Sequence, residues 1–234
     1  MTAFEQSLEE LRAFVAEHEQ IRMTPTSLSV LCEVRGDFYA HVGRVQRDLA
    51  EEILGGVAST PTCGGASGAC SLPALVEVAG KCAQVREGLC AQAGLAQFKL
   101  ASMLESLMAD PVAEAVRPLF ACVLDALQTH QDAEALRARA QEALVPHVGM
   151  LYRNAYEAWA YYGVVSRLEP RTFHAVFTAD MKSVHAVPTA RVEVANQATS
   201  PTLRLPEAVF ETADGRVFAM KSEAAHELDF YGFK

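Results

Sequence analysis

The chain reads as a mainly α protein, a bundle of five or six helices carrying a small β-rich appendage at its C-terminal end. Three observations predict that class. Apolar residues recur at three- and four-residue steps through the first two-thirds of the chain. Near Glu169-Pro170 the period drops to two. Half of the 234 residues are hydrophobic, which is enough for a real core. The expected organisation is a helical domain over 1–169, with a flexible Gly/Ser/Cys loop at about 55–73, and a β-rich appendage over 170–234.

Each helix has its own signal. In "SLEELRAFVAEHEQI", Leu8, Leu11, Phe14, Val15 and His18 share one face. Thr24 with Pro25 next to it reads as the start of a second helix, since proline at the first helical position gives up no hydrogen bond. Its stripe is Leu28, Leu31, Phe38, Val42, Val45, Leu49 and Ile53, and Gly55-Gly56 closes it. Leu75, Cys82, Leu89, Ala96 and Met103 then repeat every seven residues, with Val78, Val85, Leu100 and Leu107 beside them, which predicts one long amphipathic helix. Asp110-Pro111 repeats the cap-then-proline start, and Pro118 is expected to kink or break the helix begun there. A last helical region runs from about Asp132 to Leu168, and Pro146 is expected to divide it.

The C-terminal strands are short. "RTFHAVFT" alternates, with Phe173, Ala175 and Phe177 on one side and His174 and Val176 on the other. "ARVEVA" places Val192 and Val194 inward and Arg191 and Glu193 outward. Two further strand-like runs flank Asp214-Gly215, a dipeptide suited to a type I′ hairpin turn. Pro188, Pro201 and Pro206 cut the segment into pieces.

Charge and pattern exclude several classes. A formal net charge of −9 argues against nucleic acid, whose ligands need a basic face; Arg35, Arg44 and Arg47 read as part of a solvated helix surface. The N-terminal stretch carries acids early and lacks a signal-peptide pattern. The longest uncharged run, 53–76, has Gly, Ser, Thr and Pro at its centre, which insert poorly, so no membrane span is expected. A cytoplasmic location is the expectation, with the six cysteines as thiols.

Among the cysteines, Cys32, Cys82, Cys90 and Cys122 fall in helices and read as small core-filling residues. Cys63 and Cys70 lie in "TPTCGGASGACSLP". Their spacing matches neither zinc-knuckle nor Cys-x-x-Cys geometry, and the loop lacks a phosphate-binding pattern. They remain a pair of thiols able to meet under oxidation. The seven histidines are scattered. Glu223 and His226 have a Glu-x-x-His spacing in single copy, and His174 and His185 are candidates to meet across neighbouring strands. No metal and no cofactor is implied.

"MLYRNAYEAWAYYGVV" is the strongest site candidate. Tyr152, Tyr156 and Trp159 follow i, i+4, i+7 on one helix face, and His147, Arg153 and Asn154 add polar groups beside them. Adjacent acids such as Glu9-Glu10 and Glu51-Glu52 do not face each other, and no acid–base pair stands out. The pattern therefore favours a non-enzymatic interaction protein, of adaptor or assembly-factor type, which takes a protein partner or a second copy through the aromatic helix face and the β unit. The alternative is a small-molecule binder or enzyme with its pocket at Tyr152, Tyr156 and Trp159, and a metal protein using Cys63, Cys70 and histidines ranks third.

Overall fold

A computed structural model describes residues 1–24, 27–56, 71–178, 184–193 and 208–220. The expectations for Pro25, Cys63, Cys70, Val194, Pro201, Pro206, Glu223 and His226 fall outside those residues. The described chain begins α1 (Ala3–Glu17), β1 (Ile21–Thr24), β2 (Ser27–Val30), α2 (Cys32–Gly56), α3 (Leu72–Ala93), β3 (Gln97–Lys99) and α4 (Ser102–Ala109). It continues with α5 (Pro111–Val116), α6 (Leu119–Gln128), α7 (Ala133–Arg167), β4 (Pro170–Thr178), β5 (Val184–Thr189), β6 (Arg191–Glu193), β7 (Ala208–Thr212) and β8 (Val217–Met220). The protein is thus mainly helical with a small C-terminal antiparallel sheet, the fold class that the change of period predicts.

Two compact units divide the chain: Met1–Glu77 with Asp110–Arg153, and Val78–Ala109 with Asn154–Lys234. Helices α3 and α7 contribute residues to both. In the first unit, α1 is started by a reciprocal capping box, the Thr2 hydroxyl accepting the Glu5 N–H and the Glu5 carboxylate accepting the Thr2 N–H. Its buried Phe4, Leu8 and Leu11 face α2, where Phe38, Val42, Val45 and Leu49 are buried in turn. Gln46 of α2 donates to the Val116 carbonyl, tying in the end of α5. Asp110 caps α5 through the Ala113 N–H, and the chain breaks at Pro118 between α5 and α6 as expected.

Three helix boundaries differ from the sequence reading. Thr24 does not start a helix: it ends β1, which pairs antiparallel with β2 from Ile21↔Val30 to Thr24↔Ser27. Leu28 therefore belongs to a strand, and α2 begins only at Cys32, whose thiol is exposed rather than core-filling. The predicted helix through Leu107 also stops early. Gly94 takes a φ of +63°, open to glycine at little cost, and the Leu95 N–H reaches back to the Cys90 carbonyl at 2.9 Å, closing a Schellman-type end. Pro146, by contrast, does not divide α7. The proline ring lies on the exposed side, so the carbonyl it leaves unbonded faces water rather than core.

In the second unit, β3 pairs parallel with β6 through Phe98↔Val192. The remaining strands form a sheet ordered β5-β4-β7-β8, all neighbours antiparallel. The β7–β8 connection is not the type I′ turn the sequence suggests. Such a turn needs positive φ at both central residues, whereas only Gly215 is positive here (φ +80°). The Gly215 N–H donates to the Thr212 carbonyl, and Thr212 then pairs with Arg216, giving a three-residue loop with a bulge at the glycine.

Candidate functional site

The four-stranded sheet has two unlike faces, and its register assigns each residue. Phe173 sits opposite Phe210, and Phe210 opposite Phe218. Their rings contact in series, with centroids 5.5 and 5.4 Å apart. Phe98 of β3 covers Phe173 edge-on, and Tyr162 of α7 covers Phe98 at 5.2 Å. Ala208, Thr212 and Met220 are also buried, so this part of the face is core, while Ala175 and Val187 further along the same face are exposed.

Period-2 geometry sends the intervening residues to the other face. There His174 lies between Pro188 and Val209, and Val209 next to Ala219. Val176 sits opposite Ala186, and Thr172, Glu211 and Val217 form the next row. None of these nine residues is buried, and Val217 is 66% exposed. Antiparallel sheets that turn one face to water ordinarily alternate apolar-in with polar-out. Here six of the outward nine are Val, Ala or Pro, and Glu211 is the only carboxylate or cation among them. His174 and Val176 were legible as one side of β4; that this side is the open one results from Phe98 and Tyr162 occupying the other. The idea that His174 and His185 meet is overturned by the register, which places His174 opposite Pro188 and His185 opposite Phe177.

The aromatic stretch of α7 is shared between the units. In the first, His147 donates from Nε2 to the Glu114 carbonyl at 3.0 Å, Tyr152 is half-buried and Arg153 exposed. In the second, Tyr156 is 50% exposed, and its ring centroid lies 5.5 Å from that of Trp159. Trp159 is half-buried, and the Lys81 ammonium stands 5.6 Å from its ring centre, within cation–π reach.

A cavity of about 330 Å³ in the second unit is lined by the last turns of α3, by β3 and by Glu105 of α4 rather than by Trp159. Glu105 has both oxygens engaged: Oε2 accepts from Arg86 at 2.8 Å and Oε1 from the Leu100 N–H at 2.6 Å. Two cations (Arg86, Lys99) and two carboxylates (Glu87, Glu105) line it, so it carries no net charge to select an ion. Burial raises the Cys90 thiol above its ordinary range, which disfavours the thiolate. Cys82 is more extreme. It is 3% exposed, donates to the Ala155 carbonyl at 2.9 Å, and burial pushes its thiol up to about 11. Cys122 is buried as well, so it and Cys82 are the core-filling thiols the sequence suggested.

Two groups in the first unit were not anticipated. Glu114 of α5 is 6% exposed, with Oε1 only 3.3 Å from an Arg117 nitrogen yet lacking hydrogen-bond geometry. The Phe14 ring contacts two imidazoles, His18 at 4.1 Å and His41 at 4.7 Å, and His41 Nδ1 is buried without a hydrogen-bond partner. Among the described residues no three His, Cys, Asp or Glu side chains gather so as to hold a metal ion. Nor is any described helix long and apolar enough to cross a membrane. Comparison of the chain with known protein families, with characterised proteins and with solved structures finds no match.

Proposed function

We propose that the chain is a non-enzymatic interaction protein, of adaptor or assembly-factor type, which takes a protein partner on the outer face of its C-terminal sheet. The observation that carries this reading is the composition of that face. Ala186, Pro188, Val217 and Ala219 are exposed and Val176 and Val209 half-buried around a single imidazole. Contiguous apolar surface is costly to leave hydrated, and in monomers the largest such patch is often the functional one. The aromatic end of α7, with Tyr156 half open beside Trp159, supplies a second surface of the residue types that dominate binding energy.

The test is cross-linking in the expressing cell. A photoreactive phenylalanine at Ala219 is expected to form one discrete adduct with another protein, while the same group at the exposed Gln141 of α7 forms none. Equal, diffuse labelling from both positions would overturn the reading.

A further inference from the structure

The cavity at the end of α3 carries separated charges of both signs, and we infer that it binds a molecule built the same way: a free α-amino acid with a neutral side chain. It shares no residue with the outer face of the sheet, so this site stands or falls apart from partner binding.

One wall is backbone. β3 bonds to β6 through alternate residues, beginning with the Gln97 N–H on the Ala190 carbonyl at 3.2 Å. The N–H and C=O groups of Phe98 and Leu100 therefore turn to the opposite edge, where the Leu100 N–H meets Glu105. Phe98 is 3% exposed, with its ring against Phe173 and Tyr162, so what it presents to the cavity is its backbone carbonyl.

Two charges face that wall. Arg86 and Glu87 lie four and three residues before Cys90 on α3, on either side of its row, and adjacent residues on a helix do not face each other. Arg86 gives one N–H to Glu105 Oε2 at 2.8 Å, which fixes the guanidinium and leaves four of its five donors for a carboxylate. Glu87 is exposed and forms no ion pair among the described residues. With the Phe98 carbonyl it offers acceptors to an ammonium. A third charge on the ligand finds no counterpart: both Glu105 oxygens are engaged and Lys99 already has a partner. The rest of the lining, Cys90, Ala96 and Gln97, is uncharged.

Size agrees. About 330 Å³ is at the low end of small-molecule sites, and at about 30 Å³ per water it equals roughly eleven waters. That is the volume of one amino acid, and too little for a nucleotide or coenzyme.

The experiment titrates the full chain by isothermal calorimetry with glutamine, leucine, methionine and phenylalanine, each as the free amino acid, the N-acetyl derivative and the amide. At least one free amino acid is expected to saturate one site per chain, and masking either its ammonium or its carboxylate to weaken binding by about tenfold or more. Glu87→Gln should cost the free amino acid a similar factor and leave the N-acetyl derivative unaffected; Arg86→Met should do the same to the free amino acid and spare the amide. Circular dichroism checks folding. Glu87→Gln changes an exposed side chain, so it decides the matter even if Arg86→Met, which also releases Glu105, fails to fold. Binding by none of the four, equal binding of the masked derivatives, or an affinity that Glu87→Gln leaves unaltered overturns the inference. The cross-link at Ala219 is expected to be the same in both variants, so loss of this site and loss of partner binding are read separately.

Discussion

Replacing Glu105 by alanine probes how the turn between β3 and α4 is held. Its carboxylate does two jobs: Oε1 accepts the Leu100 N–H at 2.6 Å and Oε2 accepts the Arg86 guanidinium at 2.8 Å. A hydrogen bond to a charged acceptor contributes about 1.5–3 kcal/mol, and the Leu100 N–H is part-buried, so leaving it unmade costs towards the upper half of that range. The Arg86 pair is 27% and 30% exposed, and it adds roughly 0.5–1 kcal/mol after solvent screening. Glu105→Ala is therefore expected to lose about 3–4 kcal/mol. Arg86→Met, which removes the pair alone, should lose about 0.5–1 kcal/mol, and Glu105→Gln, which keeps an acceptor for Leu100, about 1 kcal/mol. Urea unfolding measures this directly, because Trp159 is the chain's one tryptophan and belongs to the same unit as Glu105. Should Glu105→Ala fall within about 0.5 kcal/mol of the parent, or match Arg86→Met, the backbone bond contributes nothing and the reasoning fails.

The Cys82 thiol gives a pH prediction with a definite sign. Its folded value, about 11, lies above its ordinary 9.0, so between those values the unfolded chain releases a proton that the folded chain keeps. Stability is complete below about pH 9 and falls as pH rises towards 11, by about 2–3 kcal/mol for two pH units. Cys82→Ala should flatten that part of the alkaline decline, and superimposable pH profiles for parent and variant would refute it. On the sheet, Val209→Thr combined with Val217→Thr keeps β-branching while removing apolar surface. If the valines serve a partner, this pair should leave the urea midpoint nearly unchanged and abolish the discrete cross-link from position 219; a lowered midpoint with an unaltered cross-link would assign them to strand propensity instead.

Helices were legible in the sequence wherever one stripe decided the burial. In α7, Leu136, Ala140, Leu144, Val148, Leu151, Ala155, Ala158, Tyr162 and Val165 recur at three and four residues, and all are buried. Where local signals tied, the stripe misled. Leu28 fits a helical period from Phe38, but "SLSV" also alternates, and pairing of Val30 with Ile21 settles it as a strand. Past Gly94 the seven-residue repeat continues through Ala96 and Met103, yet both positions lie outside α3. What stops the helix there is long-range: Phe98 is needed over Phe173, and β3 pairs with β6, which lies beyond α7 in the sequence. No local window contains that partner.

The candidate site failed to be legible for the same reason. Aromatic density in "YEAWAYYG" marks a surface only if the rings stay open, and Tyr162 spends its ring in the core against Phe98 while Trp159 lies half-buried under Lys81. The exposed apolar residues sit elsewhere, in strands whose alternation says that two faces differ without saying which is covered. Phe173, Phe210 and Phe218 outcompete Val209 and Val217 for the interior because each phenylalanine removes more area from water. The valines are then left outside by register, since a shift of one residue would exchange the faces and expose the rings. The core thus fixes which face is left outward, and the residues found there follow from the register rather than from any signal local to them.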